Sequence, residues 1–230
     1  MKLAVIVLVA TLGVLVAPVA AESWDGCTPK TGDVRFRAAD GTRLVGHLFG
    51  SGKRAVVLIH ESRGDMCQWS SYARRLARLG FSAFTIDLRG YGDSQVSNRA
   101  AVRYGGDAIA AVRYLTAHGK SGVFLLGASQ GGSVAIDAAA NLPAVKGVVS
   151  VSGAADLADA IRAVKRVAQP SLFIAGADDV DFANDARRLY DASPAHDKSL
   201  QIVQSGWHGA SLVGTSARVR ALIEAFLASH

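Results

Sequence analysis

Short apolar runs alternate with segments of helical periodicity along most of this chain, and that alternation restricts its fold more than any other feature. Residues 55–60 read Ala-Val-Val-Leu-Ile-His, the pattern of a strand buried on both faces. Further strands are expected over 81–87, 123–126, 145–152, 171–175 and 199–204. Helices are expected over 68–79, 107–118, 130–140, 157–167, 184–191 and 211–229. Over 68–79, Trp69, Tyr72, Leu76 and Leu79 recur at helical spacing, and Gly80 closes the segment. Ahead of these units, 33–38 and 44–49 flank Asp40-Gly41, a hairpin signal. A hairpin followed by strand–helix repeats predicts an α/β fold. It is a mostly parallel sheet of about eight strands, with right-handed crossovers placing helices on both faces. A chain of 230 residues, 50% of them hydrophobic, can fill one such core, and no repeat or low-complexity linker divides it.

The net charge of +6 comes from basic residues scattered singly or in pairs such as Arg74–Arg75 and Arg187–Arg188. No Lys/Arg block marks a nucleic-acid arm, so the charge reads as a solvated surface and no nucleic-acid partner is expected. Met1 and Lys2 precede a run over 3–16 that is apolar apart from Thr11 and Gly13, and Val19-Ala20-Ala21 follows with small residues. Residues 1–21 are therefore read as a secretory signal peptide cut after Ala21. The mature domain, 22–230, is expected to be secreted or periplasmic, without stable membrane insertion. In an exported protein the two cysteines, Cys27 and Cys67, invite a disulfide without establishing one. Neither has metal-ligand spacing with another Cys or His, so no metal site is expected. No heptad or apolar stripe indicates an oligomeric state.

The sharpest motif is Gly127-Ala128-Ser129-Gln130-Gly131, a G-x-S-x-G pattern between an apolar strand and a helix. A turn that tight forces the serine into a strained backbone region and leaves no room for side chains two residues to either side. It lifts the Ser129 hydroxyl above the sheet and turns the Gln130 amide toward a developing oxyanion. Serine needs a base, and in this chain order the acid and then the histidine follow it. His208 falls just past the last expected strand, whereas His196 precedes that strand and His230 ends the chain. The acid is sought in Asp178-Asp179-Val180-Asp181, after the strand over 171–175. Spacing favours Asp179, with Asp178 a near alternative and Asp156 a distant one. A second oxyanion donor is expected from the loop His60-Glu61-Ser62-Arg63-Gly64, through the Ser62 amide. His60 and Glu61 read as a hydrogen-bonded pair supporting that loop.

On these motifs the mature chain resembles the α/β-hydrolase superfamily over almost all its length. The signatures fall in order: His60 to Gly64, then Asp87-Leu88-Arg89-Gly90-Tyr91-Gly92-Asp93-Ser94, then Gly127 to Gly131, then Asp179 and His208. The second is similar to the family's D-x-R-G-x-G-x-S loop, whose role is structural. The resemblance implies Ser129 as nucleophile, His208 as base, Asp179 as its orienting acid, and the Ser62 and Gln130 amides as an oxyanion hole. His60-Glu61 stands where most relatives have His-Gly. That resembles the dienelactone-hydrolase branch, whose nucleophile is Cys rather than Ser. The stretch between Ser129 and Asp179 leaves no room for a large lid. The implied protein is an exported serine esterase without cofactor, acting on small-molecule or chain-end esters. Peptidase, thioesterase or perhydrolase chemistry, or a non-catalytic small-molecule-binding relative, are the alternatives.

Overall fold

The computed structural model of the chain describes residues 32–96 and 104–230. The expected signal segment and Cys27 lie outside them. In chain order the elements are β1 (Asp33–Arg37), β2 (Arg43–Phe49), β3 (Arg54–Ile59), α1 (Ser70–Arg78), β4 (Ser82–Asp87), α2 (Tyr104–Ala117), β5 (Ser121–Ala128) and α3 (Gln130–Asn141). They continue with β6 (Gly147–Val151), α4 (Ala160–Ala163), β7 (Ser171–Gly176), α5 (Val180–Ala192), β8 (Lys198–Val203), α6 (Gly209–Thr215) and α7 (Ala217–Ser229). The strands form one sheet in the order β1-β2-β4-β3-β5-β6-β7-β8. β1 and β2 pair antiparallel, as do β2 and β4, and every later pairing is parallel. The chain leaves β3 toward β4 on one side and returns to place β5 on the other. That reversal opens a crevice at the carboxyl ends of β3 and β5, where open α/β sheets bind ligands.

The central strands β3, β4, β6 and β7 are buried on both faces, as their largely apolar runs require. Alternate residues of β3 divide between two cores. Val57 and Ile59 pack with α2, α3 and α5 on one face, and Val56 and Leu58 with α1, α6 and α7 on the other. Between β6 and β7 there are only short helical turns.

Two expected helices are broken. The segment 157–167 divides into the 3-10 turn Leu157–Asp159, α4 and the 3-10 turn Val164–Arg166. Ala158 and Asp159 have positive φ, 50° and 58°, so the helical ladder cannot run through them. The apolar spacing there marks the packed residues Ala160, Ala163 and Val164. The segment 211–229 divides at Ser216, whose hydroxyl accepts from Val219 N at 3.2 Å and caps α7. Arg220 Nη1 donates to the Val213 and Gly214 carbonyls, at 2.8 and 2.7 Å, and completes the end of α6. α5 starts at Val180, four residues before its expected start. Cys67 is disulfide-bonded.

The Asp87–Ser94 stretch is an anchored loop. Asp87 Oδ1 accepts from Met66 N at 2.7 Å and Oδ2 from Asp93 N at 2.9 Å. The Ser94 hydroxyl donates to Asp87 O and accepts from Val45 N, at 2.8 and 2.9 Å. Arg89 is clamped by Asp107, at 2.6 and 2.9 Å, and by Asp40 at 2.7 Å. Burial pushes the Asp87 carboxyl up to about 6. The folded chain therefore holds that proton more tightly than the unfolded chain, and its contribution to stability falls as pH rises from about 4 to about 6. Denaturation of Asp87→Asn across this window should lack that component of the slope, worth at most about 3 kcal/mol.

Candidate active site

A single residue, Ser129, joins β5 to α3, and it adopts φ 50° and ψ −120°. Strain of this kind in a non-glycine residue costs about 1–3 kcal/mol. It persists because neighbouring backbone packs without side chains between. A Cβ on Gly127 would lie 2.0 Å from Gly131 O, and one on Gly131 would lie 2.2 Å from Ile59 O and 2.6 Å from His60 O. Ser129 N donates to Val151 O at 2.9 Å, which ties the turn to β6. The Gln130 amide is the first of α3, where N–H groups have no intrahelical partner and the helix end is positive.

His208 is the residue that enters α6 just past β8. Its Nδ1 lies 2.8 Å from Asp179 Oδ2. Asp179 enters α5 just past β7, with no capping bond to that helix, which leaves its carboxylate for the histidine. The Phe182 ring packs on His208, centroids 4.1 Å apart. The other carboxylates weighed from sequence are engaged elsewhere. Asp178 accepts from Gln204 Nε2 at 3.4 Å, and Asp156 pairs with Arg188 at 2.9 Å.

His60 is fully buried. Its Nε2 accepts from Leu88 N at 3.1 Å, so the proton is on Nδ1, which donates to Glu61 O at 2.6 Å. Burial lowers the pKa of this ring, and a neutral ring is what that pattern needs. His60 thus fastens the β3 loop to the start of the Asp87–Ser94 loop. Ser62 stands exposed at the turn of that loop, which Gly64 N closes onto Glu61 O at 3.1 Å. Glu61 N donates to Gln68 Oε1 at 2.9 Å, and Glu61 Oε1 accepts from Ala210 N at 2.5 Å. Glu61 therefore couples the β3 loop to the segment carrying His208. Gly209 sits at the crossing, with φ 50°, where a Cβ would meet Glu61 Oε1 and lie 3.4 Å from Ala128 Cβ. Ser129, Ser62, Asp179 and His208 all lie just past the carboxyl ends of their strands, on one edge of the sheet.

Residues 50–171 match the family model of serine aminopeptidase, S33, more than half of the chain. The chain belongs to that family of α/β hydrolases. Solved structures agree on the fold. An esterase of Pyrococcus furiosus has a TM-score of 0.75 at 15% identity, over 86% of this chain and 91% of that one. An α/β hydrolase from Penicillium has a TM-score of 0.76 at 16% identity, over 86% and 98% of the two chains. A monoacylglycerol lipase of Paleococcus ferrophilus has a TM-score of 0.68 at 18% identity, over 81% and 99%. Among curated proteins nothing matches.

Three residues of this α/β hydrolase escaped sequence reasoning. Ser152, buried and held at φ 48°, accepts from Gly209 N at 3.1 Å, the second anchor of the His208 segment. Its only sequence signal is the pair Ser152-Gly153 at a strand end. Tyr91 OH donates to Gln130 Oε1 at 3.2 Å and so touches the turn at Ser129. Gln68 belongs to a segment whose sequence announces only a helix.

Gly131→Ala sets two effects against each other. Alanine favours a helix over glycine by about 1 kcal/mol, but its Cβ would enter the Ile59 carbonyl. The clash should win. Denaturant melts are expected to show a loss of about 2 kcal/mol or more, in the range of an overpacked core.

Proposed function

We propose that this chain is an exported serine hydrolase that cleaves carboxylic esters through Ser129, His208 and Asp179. The observation that carries the reading is the conjunction of the strained serine turn with the Asp179–His208 pair on the same sheet edge. With Nδ1 donating to Asp179, the imidazole Nε2 is the nitrogen left to take a proton. It removes the Ser129 hydroxyl proton as Oγ attacks the ester carbonyl. The oxyanion is received by the Gln130 and Ser62 amides, and His208 returns the proton to the leaving alcohol. Water, deprotonated by His208, then releases the acid from the acyl-enzyme. Every step uses protein groups, so no cofactor enters the scheme.

Ester substrates are favoured by the neighbours, an esterase and a monoacylglycerol lipase by name. The short turns between β6 and β7 and the 33% exposure of His208 suit a small or chain-end ester at an open site. The family's description favours a second reading, peptide cleavage at a free amino end. Residues 1–21 act in this proposal as an export signal.

A fluorophosphonate should add once, at Ser129, and Ser129→Ala should remain unlabelled by intact mass. Failure of the folded wild type to label would sink the hydrolase reading. An ester, thioester and aminoacyl-amide panel then separates the two substrate classes, with esters turned over fastest. Asp179→Asn should lower kcat by about ten-thousandfold, through the wrong imidazole tautomer. Asp178→Asn should stay within about twofold. Protein recovered outside the cytoplasm should begin at Glu22, checked by N-terminal mass.

A further inference from the structure

Ser152 follows β6 and is fully buried. Its φ of 48° lies in the left-handed region, which is costly for a residue with a side chain and open to glycine. A glycine at this position would spare that cost. The strained turn is held at three points. Ser152 N donates to Ile174 O at 2.7 Å. Val151 O, one residue back, accepts from Ser129 N at 2.9 Å. Ala154 O, two residues on, accepts from the hydroxyl of Ser133 in α3 at 2.7 Å. Ser152 is thus fastened to β7, to the turn at Ser129 and to the helix that follows that turn.

What serine adds over glycine here is one hydroxyl, and that hydroxyl accepts from Gly209 N at 3.1 Å. Gly209 and Ala210 open α6, where the first amides have no partner within the helix. A side chain on the residue before a helix commonly supplies one. That residue is His208, which makes no capping bond and turns its Nδ1 to Asp179 instead. The two amides are taken by groups from other strand ends, Gly209 N by Ser152 Oγ and Ala210 N by Glu61 Oε1. Ser152 therefore caps α6 from outside the helix and leaves the imidazole to its carboxylate. It also joins two backbones that must keep register. Val151 O holds Ser129 N, and the very next side chain holds Gly209 N.

We propose that Ser152 is a positioning residue, which holds His208 in register with Ser129 through the Gly209 amide. The proposal rests on the reading of Ser129 and His208 as nucleophile and base. Ser152 touches no reacting atom in that scheme and acts through the backbone that carries the imidazole. Without its hydroxyl, Gly209 N is buried with no acceptor, and one of the two ties on the histidine segment is gone. A small displacement of His208 lengthens the path of the Ser129 proton. That costs rate and leaves ground-state binding of the substrate alone.

Ser152→Ala and Ser152→Gly separate this role from a purely structural one. Both remove the hydroxyl, but only alanine keeps the strain, so Ser152→Gly should melt about 2–4 °C above Ser152→Ala. Positioning predicts that kcat falls about tenfold in both variants alike, with KM within about twofold of the wild type. The rate of fluorophosphonate addition at Ser129 should fall by the same factor. In proton NMR the Nδ1–H of His208, bonded to Asp179, should give a far-downfield resonance, identified by its loss in His208→Gln. That resonance should move upfield or broaden in both Ser152 variants. A kcat that follows Tm, with Ser152→Gly recovering toward the wild type, would overturn the proposal. Wild-type kcat in both variants, or an unchanged His208 resonance, would do so as well. A protein that fails to label at Ser129 removes the hydrolase reading. The resonance, read without turnover, then still decides whether Ser152 places His208.

Discussion

Backbone-to-backbone contact at the head of α3 is the constraint from which the site follows. Gly131 lies against the Ile59 and His60 carbonyls so closely that no Cβ fits between. That contact pulls the helix onto β3 and leaves one residue to turn from β5 into α3. Ser129 is driven to φ 50° as a result. A penalty of about 1–3 kcal/mol is small beside the apolar burial on both faces of the sheet. The small residues of α3, among them Ala135, Ala138 and Ala139, keep that approach close along the helix. The same close packing that buries α3 therefore presents the serine and sets the positive helix end beside it.

The other loops at this edge are held by buried polar groups, each of which must find a partner. Asp87 and Ser94 bind backbone amides, and Arg89 is enclosed by Asp107 and Asp40. His60 joins this network through Leu88 N. The signature from Asp87 to Ser94 is thus architecture that fixes one wall of the site. On the far side, Glu61 and Ser152 take the two amides that follow His208. A carboxylate at position 61 does there what a glycine cannot. It ties the β3 loop to the histidine segment and requires Gly209 to have no side chain.

Between β6 and β7 there are only short turns, and among the described residues His208 is left partly exposed. The segment 207–210 has two sides. One side presents His208 to Asp179 and Phe182. The other side, through Trp207 and Ala210, forms part of a cavity against α1. This segment is tied to two different strand-end loops by the hydrogen bonds that Gly209 N and Ala210 N donate to Ser152 and Glu61.

Period and punctuation in the sequence were enough for the strand–helix order, the two-faced sheet and the turn at Ser129, because apolar spacing and glycine placement are local consequences of burial and backbone geometry. Breaks at Ala158 and Ser216 were not legible, since apolar spacing reports which face packs and not whether the helical ladder is continuous. Spacing favoured Asp179 but left Asp178 and Asp156 open. Only the meeting of the β7 and β8 ends selected the carboxylate that reaches His208. Ser152 belongs to the same class. It draws its meaning from Gly209, a neighbour distant in sequence, and hydrogen bonds across tens of residues leave no periodic trace. The sequence by itself determined the architecture and its strained turn. The tertiary structure decided which polar groups meet there, because pairing depends on where strand ends converge.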